Sequence, residues 1–239
     1  MVNAPFARPG GKNLLKKIII PLIPGPDEVD TYVEPFVGAG SIFYNTQHYK
    51  NEIINDIDKV PYTIHKGLKT RSKYINDNIE RNTTRSNFDK VKNKTDAMSL
   101  LQKCKMSFFG NCSSINNARI GETIQTDFTI YGDRLKNTTI LNEDFRKVIK
   151  QYDSPKTFFY LDPPYEKSEE QGVYKNLKEF ITPHDVFDSL KNIKGKFLLS
   201  YNDSPNIRKI FNKYNIKKVK TRYIMKNRGE ITELLISNY

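Results

Sequence analysis

Thr31-Tyr32-Val33-Glu34-Pro35-Phe36-Val37-Gly38-Ala39-Gly40-Ser41 is the stretch that decides the fold. Its β-branched and aromatic opening reads as a short buried strand. The strand runs into Pro35 and the Gly38-x-Gly40 pair, where glycine permits a tight turn and close approach of backbone to a ligand. Ser41 is placed to cap a helix carrying Ile42, Phe43 and Tyr44. A second strand, Glu52-Ile53-Ile54-Asn55, ends in Asp56-Ile57-Asp58. Asp56 lies about half a strand–helix–strand unit beyond the Gly turn, where a carboxylate can bind ribose hydroxyls. Strand, Gly turn, helix, strand and acid in this order form a nucleoside-binding half-site.

Outward from this block the alternation continues. Upstream, Gly10-Gly11-Lys12 lets backbone approach a ligand and supplies a cation, and Leu14, Leu15, Ile18, Ile19 and Leu22 recur at helical spacing until Pro24-Gly25-Pro26. Downstream, residues 59–69 are helical in pattern and Thr138-Thr139-Ile140-Leu141 is a third strand, ending in Asn142-Glu143-Asp144-Phe145. Thr157-Phe158-Phe159-Tyr160 is a fourth. Thr182-Pro183 and Ser204-Pro205 start helices, with Lys196 to Ser200 a strand between them. At the end, Tyr223-Ile224-Met225, a turn over 226–230 and Ile231 to Ser237 read as a strand–turn–strand pair. The fold class is α/β, with a mostly parallel sheet covered on both faces.

The fourth strand leads into Leu161-Asp162-Pro163-Pro164-Tyr165. Two prolines cannot donate to a sheet ladder, so the strand stops there. A carboxylate, a rigid turn and an aromatic ring then stand together at a strand end. Asp162 and the Pro163 carbonyl can both accept from one exocyclic NH2 group and aim its lone pair at an electrophile. Tyr165 offers a face for a planar base, a role that needs the ring rather than the hydroxyl.

The 239 residues carry a net charge of +12, which points to a nucleic-acid partner. Residues 71–137 change character, becoming rich in Asn, Ser, Thr and Lys, with Arg81, Arg85, Arg119 and Arg134 among the basic residues. Met106-Ser107-Phe108-Phe109-Gly110 forms an aromatic island. We read this stretch as an inserted recognition region of helices followed by a hairpin-like loop over residues 111–132. Its candidate nucleic-acid contacts are Arg81, Arg85, Phe109, Asn111, Arg119 and Arg134. Residues 1–70 and 138–239 then form the catalytic domain. The two cysteines, Cys104 and Cys112, argue against a disulfide framework and are expected to pack in a core or sit idle. His48, His65 and His184 belong to no motif and read as surface or helix residues. No metal site, membrane span or signal peptide is expected, and a reducing intracellular compartment such as the cytoplasm is the expectation.

Glu34 to Gly40 together with Asp162-Pro163-Pro164-Tyr165 resembles the Dam-like, D12 class of DNA adenine-N6 methyltransferases. Gly10-Gly11-Lys12 and the closing Thr232-Glu233-Leu234-Leu235-Ile236-Ser237-Asn238 fit the same pattern, as does the motif order. The resemblance implies a Rossmann-like methyltransferase sheet with one antiparallel strand near the C-terminus. It also implies S-adenosylmethionine as cofactor, double-stranded DNA as partner and transfer to a flipped adenine, as in restriction-modification systems. On it, Glu34, Pro35, Phe36, Gly38, Gly40 and Ser41 would wrap the methionine part, helped by Lys12 and Arg8. Asp56 would bind the ribose and Ile57 would lie beside the adenine, with Asp144 and Phe145 flanking it. Asp162 would touch both cofactor and target amine, Tyr165 would hold the base, and Asp162, Pro163, Pro164 and Tyr165 would form the catalytic turn. Relatives often carry an aromatic residue where Arg8 stands. Cys112-Ser113-Ser114 replaces the Arg that usually follows the aromatic island. Three other readings stay open: an RNA-directed relative, a non-catalytic nucleic-acid-binding relative, and a nicotinamide oxidoreductase. The last leaves Asp162 to Tyr165 unexplained.

Overall fold

The computed structural model describes residues 1–165, 181–222 and 230–239. Seven strands form one sheet: β1 (Thr31–Glu34), β2 (Asn51–Asn55), β3 (Thr139–Leu141), β4 (Thr157–Leu161), β5 (Lys196–Asn202), β6 (Asn215–Arg222) and β7 (Glu230–Ser237). Their order is β3-β2-β1-β4-β5-β7-β6. The first five strands run parallel, and β7 pairs antiparallel with both β5 and β6. This is the expected sheet, with its one reversed strand. β1 and β4 are adjacent, and the chain leaves them toward opposite halves of the sheet. That makes their carboxyl ends the switch point where open α/β sheets bind ligands.

Every residue of β4 is buried, because both faces of the sheet are covered. Phe158 and Tyr160 enter one apolar cluster, while Phe159 and Leu161 enter the other. On the second face lie α6 (Phe145–Tyr152), α7 (Pro183–Leu190) and α8 (Pro205–Ile210). The caps read from sequence are present: Thr182 forms a capping box with Asp185, and the Ser204 side chain accepts from the Ile207 N–H. On the first face are α1 (Lys16–Ile19), α2 (Lys59–Asn78), α3 (Arg85–Val91), α4 (Ala97–Met106) and α5 (Thr129–Leu135). α2 crosses the expected boundary at residue 71 with only a local break, at Arg71 (φ −146°, ψ 32°). Ile64 and Leu68 of α2, Leu101 of α4 and Leu135 of α5 share the cluster that holds Tyr32 and Phe158, so sheet and insert have a common core.

Several local expectations change. Ser41 caps no α-helix; the next element is one 3-10 turn, Phe43–Asn45. The Asn45 side chain donates to the Ser41 carbonyl at 3.0 Å, while its backbone N–H goes to Ile42. A side chain thus takes the carbonyl that an α-helix would use. The first helix shrinks to four residues and passes into a 3-10 turn at Ile20–Leu22, where Pro21 lacks an N–H. The hairpin expected over residues 111–132 is instead one 3-10 turn, Asn117–Arg119, and the start of α5, preceded by a 3-10 turn at Phe108–Gly110, with isolated bridges Ser107–Ile115 and Asn82–Thr123. Gly132 is part of α5; a Cβ there would lie 2.0 Å from the Ser72 hydroxyl, so glycine lets α5 approach α2. Cys104 and Cys112 are joined in a disulfide, correcting their reading as unpaired thiols. The two lie only 8 residues apart, and the turn over Phe108–Gly110 folds one back on the other. The strand expected at Tyr223–Met225 falls outside the described residues; β6, which pairs with β7, sets Ile216 and Val219 among lysines.

Candidate active site

The carboxyl ends of β1, β2 and β4 bring Glu34, Asp56 and Asp162 to one edge of the sheet. Glu34 is 2% exposed and accepts a hydrogen bond from the Tyr32 hydroxyl. Burial pushes its carboxyl up to about 8. Asp56 accepts from the backbone N–H of Gly38 and of Asp58, both at 2.9 Å. Burial outweighs those bonds and raises it to about 6. Gly38 and Gly40 have positive φ (50° and 76°). A Cβ on Gly40 would come within 2.7 Å of the Tyr44 ring, so the turn requires glycine there on two counts.

Asn55, at the end of β2, has no counterpart in the sequence reading. Its amide donates to the carbonyls of Pro35 and Glu143, and its oxygen accepts from the Glu143 N–H, all at 2.9 Å. It therefore ties the β1 turn to the β3 turn. Asp144 caps α6 through the Arg146 N–H and also meets the Arg146 guanidinium. Phe145 is 2% exposed and packs on Phe36 at 5.0 Å, whereas Ile57 is exposed. Arg8 pairs with Asp58, the cap of α2, and so stands beside Asp56.

Lys12 is 5% exposed and contacts the Asp162–Tyr165 turn directly. Its Nζ lies 2.8 Å from Asp162 Oδ1, 3.9 Å from Glu233 Oε2 and 4.9 Å from the Tyr165 ring centre, and it donates to the Gly10 carbonyl at 2.8 Å. Burial raises the Asp162 carboxyl, and Lys12 works against that rise. The Tyr165 hydroxyl donates to Glu233 Oε2 at 3.1 Å, with Asp162 Oδ1 a further 3.4 Å contact. Tyr201 stacks on the Tyr165 ring at 5.5 Å, and its own hydroxyl reaches the Pro164 carbonyl. Glu233 is thus a site residue that the sequence reading missed. It lies within the closing motif, but nothing local links it to a turn 68 residues away.

The insert candidates divide. Arg81 donates to the carbonyls of Ile124, Thr126 and Asn76 and to the Asn76 side chain, clamping the loop that follows α4. Arg134 lies over Phe43 at 4.1 Å and pairs with buried Glu52, pinning α5 to the sheet. Arg119 pairs with Glu122 and caps the Lys105 carbonyl. These three guanidiniums each have partners within the fold. Phe109 is exposed and Asn111 holds the Ser113 N–H, while Arg85 is exposed and meets only the Asn117 side chain among the described contacts.

A mostly parallel sheet with this strand order, a glycine turn after its first strand and an acid–aromatic turn after its fourth make up a fold of the Rossmann-like methyltransferase type. The family described as D12 class N6 adenine-specific DNA methyltransferase matches residues 9–225, and the chain belongs to it. It is similar to the type II methyltransferase M1.LlaDCHI of Lactococcus lactis subsp. cremoris, 24% identical over 98% of this chain and 95% of that one. It also matches M.MjaIII of Methanocaldococcus jannaschii (26% identical, 88% and 89% covered). A third relative is M.CviBI of Paramecium bursaria Chlorella virus NC1A (22%, 90% and 92%). The protein is therefore a site-specific, adenine-directed DNA methyltransferase. Among the described residues, no helix is long and apolar enough to cross a membrane, and no cluster of three metal-ligand side chains occurs.

Proposed function

We propose that the methyl donor is S-adenosylmethionine, that the substrate is double-stranded DNA, and that the target adenine is flipped into the pocket beside Asp162. The observation that carries this reading is Asp162, held 2.8 Å from Lys12 at the end of β4, next to the Gly38–Gly40 turn. The donor set suits such a cofactor. Buried Glu34 would take its ammonium, Gly38 and Gly40 would let its methionine part lie against backbone, and Asp56 retains lone pairs for ribose hydroxyls. Ile57, Asp144 and Phe145 would border the adenine. The cofactor supplies a methyl group activated on a sulfonium.

The chain's own residues then handle the amine. A stacked adenine is out of reach, so the base must leave the helix. Tyr165, backed by Tyr201, gives it a face. Asp162 and the Pro163 carbonyl accept from its NH2 group and fix the lone pair in line for attack. No strong base is needed first, because the amine becomes acidic as it is methylated. Arg85, Phe109 and Asn111 would meet the duplex from the insert. The test is methyl incorporation from labelled S-adenosylmethionine into duplex DNA, single-stranded DNA and RNA, with nucleoside analysis. N6-methyladenine in duplex DNA is expected; product confined to RNA would overturn the reading of the substrate.

A further inference from the structure

His65 lies in the middle of α2, outside every motif, and is fully buried. Both of its ring nitrogens are used. Nε2 is 2.9 Å from the Gly38 carbonyl and Nδ1 is 2.8 Å from the Tyr44 hydroxyl. A carbonyl only accepts, so Nε2 carries the proton and Nδ1 accepts from Tyr44. Burial depresses the ring to about 4, so this neutral tautomer persists at neutral pH. On the other side, the Gly38 N–H is taken by Asp56. Gly38 is thus gripped at both ends, its N–H by a carboxylate after β2 and its carbonyl by an imidazole on α2.

We infer that His65 is a positioning residue for the cofactor turn, holding the Gly38 carbonyl so that the left-handed Gly38–Gly40 backbone is set before the methyl donor arrives. This rests on the proposed cofactor site. Glycine loses more conformational freedom on ordering than any other residue, so a turn with two left-handed glycines needs external bonds to stay fixed. His65 also roots the turn in the helix on which the insert is built, since Ile64 and Leu68 beside it pack in the same cluster as Leu101 and Leu135. Tyr44, whose hydroxyl donates to Nδ1, meets Tyr131 of α5 edge-on at 5.0 Å.

His65→Leu removes the donor, and His65→Gln keeps an amide N–H at about the reach of Nε2. The Leu variant should bind S-adenosylmethionine about tenfold more weakly, the loss expected for one buried hydrogen bond. Its kcat at saturating cofactor should change little, and the Gln variant should recover most of the affinity. Nitrogen NMR of the wild-type imidazole should show the Nε2–H tautomer with no titration between pH 5 and 8. Equal cofactor affinity in wild type, Leu and Gln variants, or an Nδ1–H tautomer, would overturn the inference. If the Leu variant fails to fold, the tautomer and the Gln variant still decide it. Absence of cofactor binding to the wild-type protein would instead overturn the proposed cofactor site.

Discussion

Two pairs of acids stand at the same edge of the sheet and are held in different ways. Glu34 and Asp56 are held by neutral donors, namely the Tyr32 hydroxyl and the N–H groups of Gly38 and Asp58. Asp162 and Glu233 stand around a buried ammonium, that of Lys12. Burial raises both carboxyls of the first pair, Glu34 to about 8 and Asp56 to about 6, and the hydrogen bonds they accept offset it only in part. Burial raises Asp162 and Glu233 as well, but here it is the Lys12 ammonium that works against the rise. Proximity on a sheet edge therefore does not make carboxylates equivalent.

The sharpest way to break this comparison is Asp162→Ala. Methylation should fall by about 10²–10³-fold, the range for removing a group that positions developing charge, while circular dichroism stays unchanged. Near-normal turnover would move the chemistry elsewhere. Next comes the bond that was invisible from sequence. The ring of Tyr165 was expected to suffice, yet its hydroxyl meets Glu233 and Asp162. Tyr165→Phe and Glu233→Gln should each cost about tenfold in turnover, as one hydrogen bond at a charged group is worth roughly 1.5–3 kcal/mol before relaxation. Wild-type kinetics in both variants would restore the account in which only the ring matters.

A smaller effect separates the pairs by pH. Glu34 is raised from 4.5 to about 8, so the folded protein keeps a proton that the unfolded chain has released. Stability should therefore fall as pH rises through this range. His65, lowered from 6.5 to about 4, acts in the opposite sense below about pH 6.5, so the decline is cleanest between 6.5 and 8. Glu34→Gln should flatten the decline in denaturant titrations while weakening cofactor binding. A slope that persists in this variant would assign it to another group. The smallest effect tests the insert. Arg81→Ala should cost about 1–3 kcal/mol of stability through its lost clamp. Arg85→Ala should leave the melting temperature alone and reduce the salt dependence of DNA binding by about one charge. If both variants behave alike, the division between them is wrong.

What was legible in the sequence was local. Glycines fix a turn, prolines end a strand, Thr182 and Ser204 announce helices, and a strand–turn–acid order places Glu34, Asp56 and Asp162. What was not legible joins distant positions. Glu233 reaches Tyr165 across 68 residues, Asn55 reaches Glu143 across 88, and His65 reaches Gly38 across 27. The partners of Arg81 and Arg134 were out of view for the same reason, because an arginine's charge is visible in a sequence but its acceptors are not. Cys104 and Cys112 are close in sequence, yet their pairing depends on a turn at Phe109 with φ 48°, a conformation that a phenylalanine does not announce.

The position of β7 also sets an order in time. It fills the slot between β5 and β6, both of which precede it in the chain. During synthesis from the N-terminus, the Gly turn, Lys12 and Asp162 all emerge while that slot is still open. The acid that anchors Tyr165 emerges only with the strand that closes the sheet. Until then β5 has an unpaired edge, and the aromatic turn lacks one of its tethers. Assembly of the cluster around Asp162 and Tyr165 is thereby coupled to the last step of sheet formation, so a nascent chain that has its Gly turn in place does not yet have the finished cluster.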